Sequence, residues 1–138
     1  MINTINMQDM RYLNLFGKIT QVNTRHCFKY NEFIFFSVPK NLVSKAIGEG
    51  GKNVRKMSEI LGRKIRVIAS PESTLGARKF ITEITSPVAF KDFEIKGNEI
   101  IITAGMQSKA ALLGRNKRRL IEMQKIASDF FGKELRII

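Results

Sequence analysis

The segment Gly48-Glu49-Gly50-Gly51-Lys52-Asn53-Val54-Arg55-Lys56 gathers the residues of this chain best suited to meeting an anion. Glycine tolerates positive φ, which a tight helix–loop–helix reversal demands, and its missing Cβ lets a bulky backbone come close. A helix expected to begin at Lys52 would turn unpaired N–H groups and the positive end of its dipole toward the loop, where a phosphate fits. Lys52, Arg55 and Lys56 add full charges in the first turns of that helix. A plainer reading of the same residues is a glycine-rich helix cap with a solvated basic face, and G-x-x-G alone does not separate the two. Other phosphate motifs fail: a Walker A loop needs Gly where Ala46 stands and Ser or Thr where Asn53 stands. The dinucleotide fingerprint needs a strand before its glycines, and here a helix is expected.

A second stretch, Gly114-Arg115-Asn116-Lys117, keeps only the first glycine, and with Arg118 and Arg119 it is the most basic part of the chain. Lys117 places a Cβ and a long side chain where a close backbone approach would want glycine. Two readings stay open: a phosphate clamp working through side chains, or a structural module with a solvated basic turn. In the first loop, Glu49 is an unfavourable charge beside a phosphate. The remaining chemistry-bearing residues read as structural. His26-Cys27 sits on an expected strand with no third ligand or general base, so it reads as a buried thiol beside a strand imidazole. Asp92, Glu94 and Glu99 alternate with apolar residues and mark the solvent face of a sheet. Phe33, Phe35, Phe36 and the methionines read as core.

The chain has 138 residues, with 24 Lys+Arg against 12 Asp+Glu, one His, one Cys and no Trp. At 43% hydrophobic and 26% charged it is expected to fold, and no apolar run approaches the roughly 18 residues that span a bilayer. The opening Met1-Ile2-Asn3-Thr4-Ile5-Asn6 has neither a basic region nor a long apolar stretch, which argues against secretion. One cysteine makes no internal disulfide and no Cys/His cluster suggests zinc, so a reducing, cytoplasmic setting without metal or cofactor is expected. A net charge of +12 attracts polyanions, and nucleic acid is the expected partner. The basic residues are spread along the chain, unlike a membrane-binding amphipathic helix. Residues 1–70 hold 12 basic and 4 acidic side chains and residues 71–138 hold 12 and 8, so the first half carries the larger field.

The chain also repeats itself. Gly62-Arg63-Lys64-Ile65-Arg66-Val67-Ile68 answers Gly132-Lys133-Glu134-Leu135-Arg136-Ile137-Ile138, the two Gly-punctuated basic stretches answer each other, and Ser44-Lys45-Ala46 matches Ser108-Lys109-Ala110. Two modules are expected, residues 1–70 and 71–138, meeting at the turn-rich Ser70-Pro71-Glu72-Ser73-Thr74-Leu75-Gly76. In the first, Met10, Leu13 and Phe16 predict a helix from Asn6 to Phe16 with Gly17 as its stop. A hairpin of Arg25–Tyr30 and Phe33–Val38 follows, then a short helix to Gly48, a helix from Lys52 to Leu61 and a strand from Lys64 to Ala69. The second module predicts a helix over Ala77–Thr85 and strands Phe90–Lys96 and Glu99–Thr103 about Gly97-Asn98. It continues with a helix over Gln107–Leu113, a helix to Phe131 and a strand to Ile138. Each copy is α-β-β-α-α-β, an α+β fold with a three-stranded sheet covered by helices on one face. Modules of this size are marginal alone, so the copies are expected to pack together as a rigid pair.

A G-x-x-G loop between two helices that clamps single-stranded backbone is the KH arrangement. From about Met10-Arg11-Tyr12-Leu13 to Ile138, the chain resembles the archaeal NusA-like transcription factors, which consist of two tandem KH domains of the prokaryotic type (type II). Ala46-Ile47-Gly48-Glu49-Gly50-Gly51-Lys52-Asn53-Val54 is similar to the family's AIG-x-GG-x-N-[VI] core, and Gly114-Arg115-Asn116-Lys117 to its second loop. Ile19-Thr20, Cys27 and Pro87 also fall where the family tends to place such residues. The chain departs at Glu49, where the family favours a basic residue, and at Ala111-Leu112-Leu113. The resemblance implies a non-enzymatic, single-stranded RNA-binding protein in transcription elongation or termination that associates with RNA polymerase. A ribosome-associated or RNA-processing component is the alternative. The expected RNA-binding residues are Ala46, Ile47, Gly48, Glu49, Gly50, Gly51, Lys52, Asn53, Val54, Arg55 and Lys56, with Gly114, Arg115, Asn116, Lys117 and Arg118. Bases would lie over an aliphatic groove near Ala46, Ile47 and Val54.

Overall fold

Asn6 opens the first helix by accepting a hydrogen bond from the Asp9 N–H at 2.8 Å, the usual device for quieting an orphan donor at a helix start. The computed structural model describes residues 6–138. They fall into two compact units divided between Ser70 and Pro71.

In the first unit, α1 (Met7–Thr20) leads to β1 (His26–Tyr30) and β2 (Phe33–Val38). A 3-10 turn and α2 (Val43–Ile47) follow, then α3 (Lys52–Leu61) and β3 (Lys64–Ala69). The sheet order is β1-β2-β3, antiparallel between β1 and β2 and parallel between β2 and β3. Asn31 and Glu32 close the hairpin with φ of 51° and 69°, the pair of positive values that suits a right-handed strand twist. Alternation along β2 sends Ile34, Phe36 and Val38 to one face, where they join Ile65 against Tyr12, Phe16, Ala46 and Met57 of the three helices. The Phe16 and Phe36 rings stack at 4.4 Å, and burying one such ring contributes about 1.5–3 kcal/mol.

Several expectations are corrected here. Helix α1 runs through Gly17 and ends with Gln21 in the left-handed conformation. Its buried stripe is Tyr12, Phe16 and Thr20, four residues apart, while Met10 is exposed; that stripe needs the extra turn, so Gly17 cannot be the stop. Cβ on Gly17 would lie 3.1 Å from Asn23 Oδ1, so the glycine makes room for the returning chain. Of Phe33, Phe35 and Phe36, only Phe36 joins the core under the helices. Phe35 is buried as expected, at 1% exposure, but on the opposite sheet face, where Phe28 stacks on it at 5.2 Å; Phe33 is only half-buried there, and Lys64 and Arg66 lie over the Phe33 and Phe35 rings. Met57 and Met123 are core residues, whereas Met7, Met10 and Met106 are exposed, and Met1 lies outside the described residues. His26 and Cys27 are half-buried, with the Cys27 thiol 3.9 Å from an Asp9 carboxylate oxygen.

The second unit repeats the order with α4 (Ala77–Thr85), β4 (Asp92–Lys96), β5 (Glu99–Thr103), α5 (Met106–Leu113), α6 (Arg118–Phe131) and β6 (Glu134–Ile137). Its sheet order is β4-β5-β6, again antiparallel and then parallel. Phe80, Ile84, Ile100, Ile102, Leu112, Met123 and Leu135 are buried, drawn from every element except β4. β4 begins at Asp92, not Phe90; the Phe90 ring instead packs 6.1 Å from Phe93. Asp92 and Glu94 are exposed, and Glu99 reaches Arg136 across β5 and β6 at 3.1 Å. Among the described residues, no helix is long and apolar enough to cross a membrane.

Candidate nucleic-acid interface

Helix α2 stops at Gly48, whose φ of 81° and ψ of 163° belong to a region open only to glycine. The chain makes one 3-10 turn over Glu49–Gly51, with Gly50 at φ 60°, ψ 19° and Gly51 at φ 78°, ψ 18°, then enters α3 at Lys52. The second loop repeats this trace almost angle for angle. Gly114 has φ 73°, ψ 174°, Asn116 has 55°, 30° and Lys117 has 58°, 24°. Two side-chain-bearing residues therefore hold the left-handed conformation that Gly50 and Gly51 hold in the first unit, each at a cost of roughly 1–3 kcal/mol. The second loop has lost its two tip glycines and kept its shape.

Hydrogen bonding inside the two loops is also the same. Gly48 N–H donates to Ser44 O and Gly51 N–H to Gly48 O, both at 3.0 Å; Gly114 N–H donates to Ala110 O and Lys117 N–H to Gly114 O, both at 3.1 Å. The next amide in each, Lys52 or Arg118, donates back to Glu49 O or Arg115 O. This corrects the expectation of an unpaired N–H at Lys52. The loop's own hydrogen bonds do not extend to the Glu49 and Gly50 amides at its tip.

Side chains behind the loop were not foreseen as structural. Asn53 Nδ2 donates to Lys45 O at 3.3 Å, and Arg119 Nη1, at the matching place, donates to Ala111 O at 3.0 Å. Each ties the start of the second helix back to the first, and each explains the leading glycine. A Cβ on Gly48 would sit 2.8 Å from Asn53 Cγ, and one on Gly114 would sit 2.7 Å from Arg119 Cγ. The hint in the sequence was a polar residue five places after the first glycine in both copies. Arg55 lies back over Gly51 and donates from Nη1 to Gly50 O.

Ala46 is fully buried and belongs to the core, so its expected place in a base-lining groove is corrected. Its counterpart is the equally buried Leu112, two residues before Gly114. The Ser44-Lys45-Ala46 match to Ser108-Lys109-Ala110 is thus out of register: the buried position fixes the alignment, and α5 is eight residues long against five for α2. Ile47 and Val54 are half-buried beside the loop, while Glu49, Gly50, Lys52, Arg55 and Lys56 are exposed. Arg115, Asn116, Lys117 and Arg118 are exposed in the second unit. What the structure brings together at each loop is a glycine-led turn, a helix N-terminus and solvent-facing cations, a combination suited to a phosphodiester. Among the described residues, no group of three or more His, Cys, Asp or Glu side chains is placed to hold a metal ion.

Comparison with known proteins agrees with this geometry. Residues 33–88, from β2 through α4 and including the first loop, match the KH domain family model. The chain is 27% identical over 139 aligned residues to the probable transcription termination protein NusA of Methanococcus vannielii, covering 97% of this chain and 79% of that one. It is 28% identical over 123 aligned residues to the protein of the same name from Methanocaldococcus jannaschii, covering 86% of this chain and 66% of that one. A solved structure described as "Crystal structure of APE1850" superposes with a TM-score of 0.66 at 23% identity, over 97% of this chain and all of that one, a likeness of fold.

Proposed function

Starting from a chain that carries a KH domain and has archaeal NusA proteins among its relatives, we propose a non-enzymatic, single-stranded RNA-binding factor of the NusA-like kind. It is built from two tandem type II KH domains, residues 1–70 and 71–138. The observation that carries this reading is the shared loop trace, kept in the second unit against the strain at Asn116 and Lys117. Backbone strain persists where surrounding structure over-determines it, and it gathers at functional sites.

In this reading the Glu49 and Gly50 amides meet phosphate oxygens, Lys52 and Lys56 supply charge, and bases lie over Ile47 and Val54. An aliphatic floor reads base edges weakly, so sequence preference is modest. The second loop takes phosphate through Arg115, Lys117 and Arg118, since its tip carries side chains where the first has none. The larger net charge of residues 1–70 favours the first unit as the main source of affinity. The relatives are named for transcription termination, and RNA polymerase or its elongation complex is the partner that follows.

The test is Gly50→Asp with Gly51→Asp. A Cβ at Gly50 meets nothing within 4 Å, and one at Gly51 meets only Arg55 Nη1 at 3.5 Å, so neither change clashes; both positions are left-handed, at φ 60° and 78°, a conformation that Asp tolerates better than most residues. The added carboxylates would stand where the phosphate belongs. Binding of a short single-stranded RNA should be lost with the circular dichroism spectrum unchanged; retained affinity would move the site elsewhere.

A further inference from the structure

We propose that Arg55 is a positioning residue: its guanidinium braces the glycine tip of the first loop through the Gly50 carbonyl and sets the tip amides for a phosphodiester. The inference rests on the RNA-binding reading of that loop, but its structural half stands without RNA. Two successive glycines in the left-handed region carry little conformational preference of their own, so the tip needs an external tie. Within the loop, Gly48 O, Glu49 O and Lys45 O already accept from Gly51 N–H, Lys52 N–H and Asn53 Nδ2. Gly50 O is the tip acceptor, and Arg55 Nη1 fills it. The second unit supplies the contrast. There the place of Arg55 is taken by Ile121, 61% exposed and without a donor, and the tip residues are Asn116 and Lys117. Side chains narrow the backbone's choices, so that tip needs no guanidinium from this position. Glycine tip with a guanidinium at position 55, and substituted tip with an isoleucine at the matching position, are two ways to the same trace. A braced tip meets its ligand without an ordering cost, which is where Arg55 contributes.

The test compares Arg55→Ala with Lys56→Ala, both exposed cations of α3. In the RNA-free protein, backbone 15N order parameters of Glu49, Gly50 and Gly51 should fall in Arg55→Ala and hold in Lys56→Ala. With a short single-stranded RNA, Arg55→Ala should weaken binding about three- to tenfold. Its log-affinity against log-salt slope should change less than in Lys56→Ala, where loss of one phosphate contact lowers it by about 0.7. Arg55→Ala with an unchanged tip would overturn the brace, as would a slope loss equal to that of Lys56→Ala. If the Gly50→Asp, Gly51→Asp protein binds RNA as before while Arg55→Ala still loosens the tip, the brace stands and the RNA reading of the loop fails.

Discussion

Replacing Gly48 by Ala tests the loop's construction most sharply, because two independent penalties fall on one methyl group. The backbone at φ 81°, ψ 163° is a region for glycine only, and a side chain there costs about 1–3 kcal/mol. The methyl would also stand 2.8 Å from Asn53 Cγ and Nδ2 and 3.1 Å from Asn53 N. The side-chain amide can swing away only by giving up Lys45 O, and the backbone nitrogen cannot move without shifting α3. Such overpacking costs about 1–3 kcal/mol, against a gain of about 0.5–1 kcal/mol from the stiffer unfolded chain. The net is a loss of about 1–5 kcal/mol, centred near 3. Gly50→Ala is the control: its φ of 60° is left-handed but its Cβ meets nothing within 4 Å, so a net loss of about 0.5–1 kcal/mol is expected. Urea unfolding followed through amide signals of β2 reads both. Gly114→Ala, with Arg119 Cγ at 2.7 Å, should repeat the large loss when β5 is followed. Adding Asn53→Ala to Gly48→Ala should recover part of the loss, giving a non-additive cycle. Equal costs for Gly48→Ala and Gly50→Ala would refute the close-approach argument.

Lys117→Gly relieves a left-handed lysine at φ 58° and should stabilise the second unit by about 0.5–1 kcal/mol, read as a raised urea midpoint; a lowered midpoint would show that the trace is not strained. Ser37 Oγ is buried with no hydrogen-bond partner, so Ser37→Ala should be neutral or stabilising by up to about 1 kcal/mol, and a clear loss would reveal a partner for the hydroxyl. Burial first, and then the Arg25 charge, lowers the His26 pKa below 6.5. Its folded form therefore resists protonation: stability is full above about pH 6.5 and declines below it, as the unfolded chain takes up the proton first. The urea midpoint of the wild type should fall as pH is lowered through that window, and His26→Gln should flatten the decline; an unchanged slope would remove His26 as its source.

Much of this was legible because the signals were local. Lys64–Ala69 and Ala77–Thr85 announce themselves by periodicity and by the glycines and proline that bound them, and the G-x-x-G motif marks the first loop. What was not legible depends on partners distant in sequence. The reach of α1 past Gly17 is set by Phe16 and Thr20 packing into the core, and a glycine inside a helix looks like a glycine at its end. The opposite faces of Phe35 and Phe36 follow from strand alternation, but which face the helices cover is a tertiary fact. Ala46 sits between apolar and loop residues in sequence, which suggests groove lining; only the packing of α2 shows it pointing inward. Asn53 and Arg119 bear no resemblance to each other, so their common role appears only when their donors reach equivalent carbonyls, Lys45 O and Ala111 O, each three residues before the leading glycine. The second loop was the hardest, since the absence of glycine at 117 argued against a backbone that is nonetheless preserved.

A titration of the 15N-labelled protein with a short single-stranded oligoribonucleotide, followed amide by amide, bears most directly on the loop as a phosphate cradle. The account predicts that the largest early shifts fall on Glu49, Gly50 and Gly51, with Arg115 to Arg118 following, and that raised salt reverses them. Largest shifts on the sheet residues of either unit, with 49–51 unmoved at saturation, would contradict it.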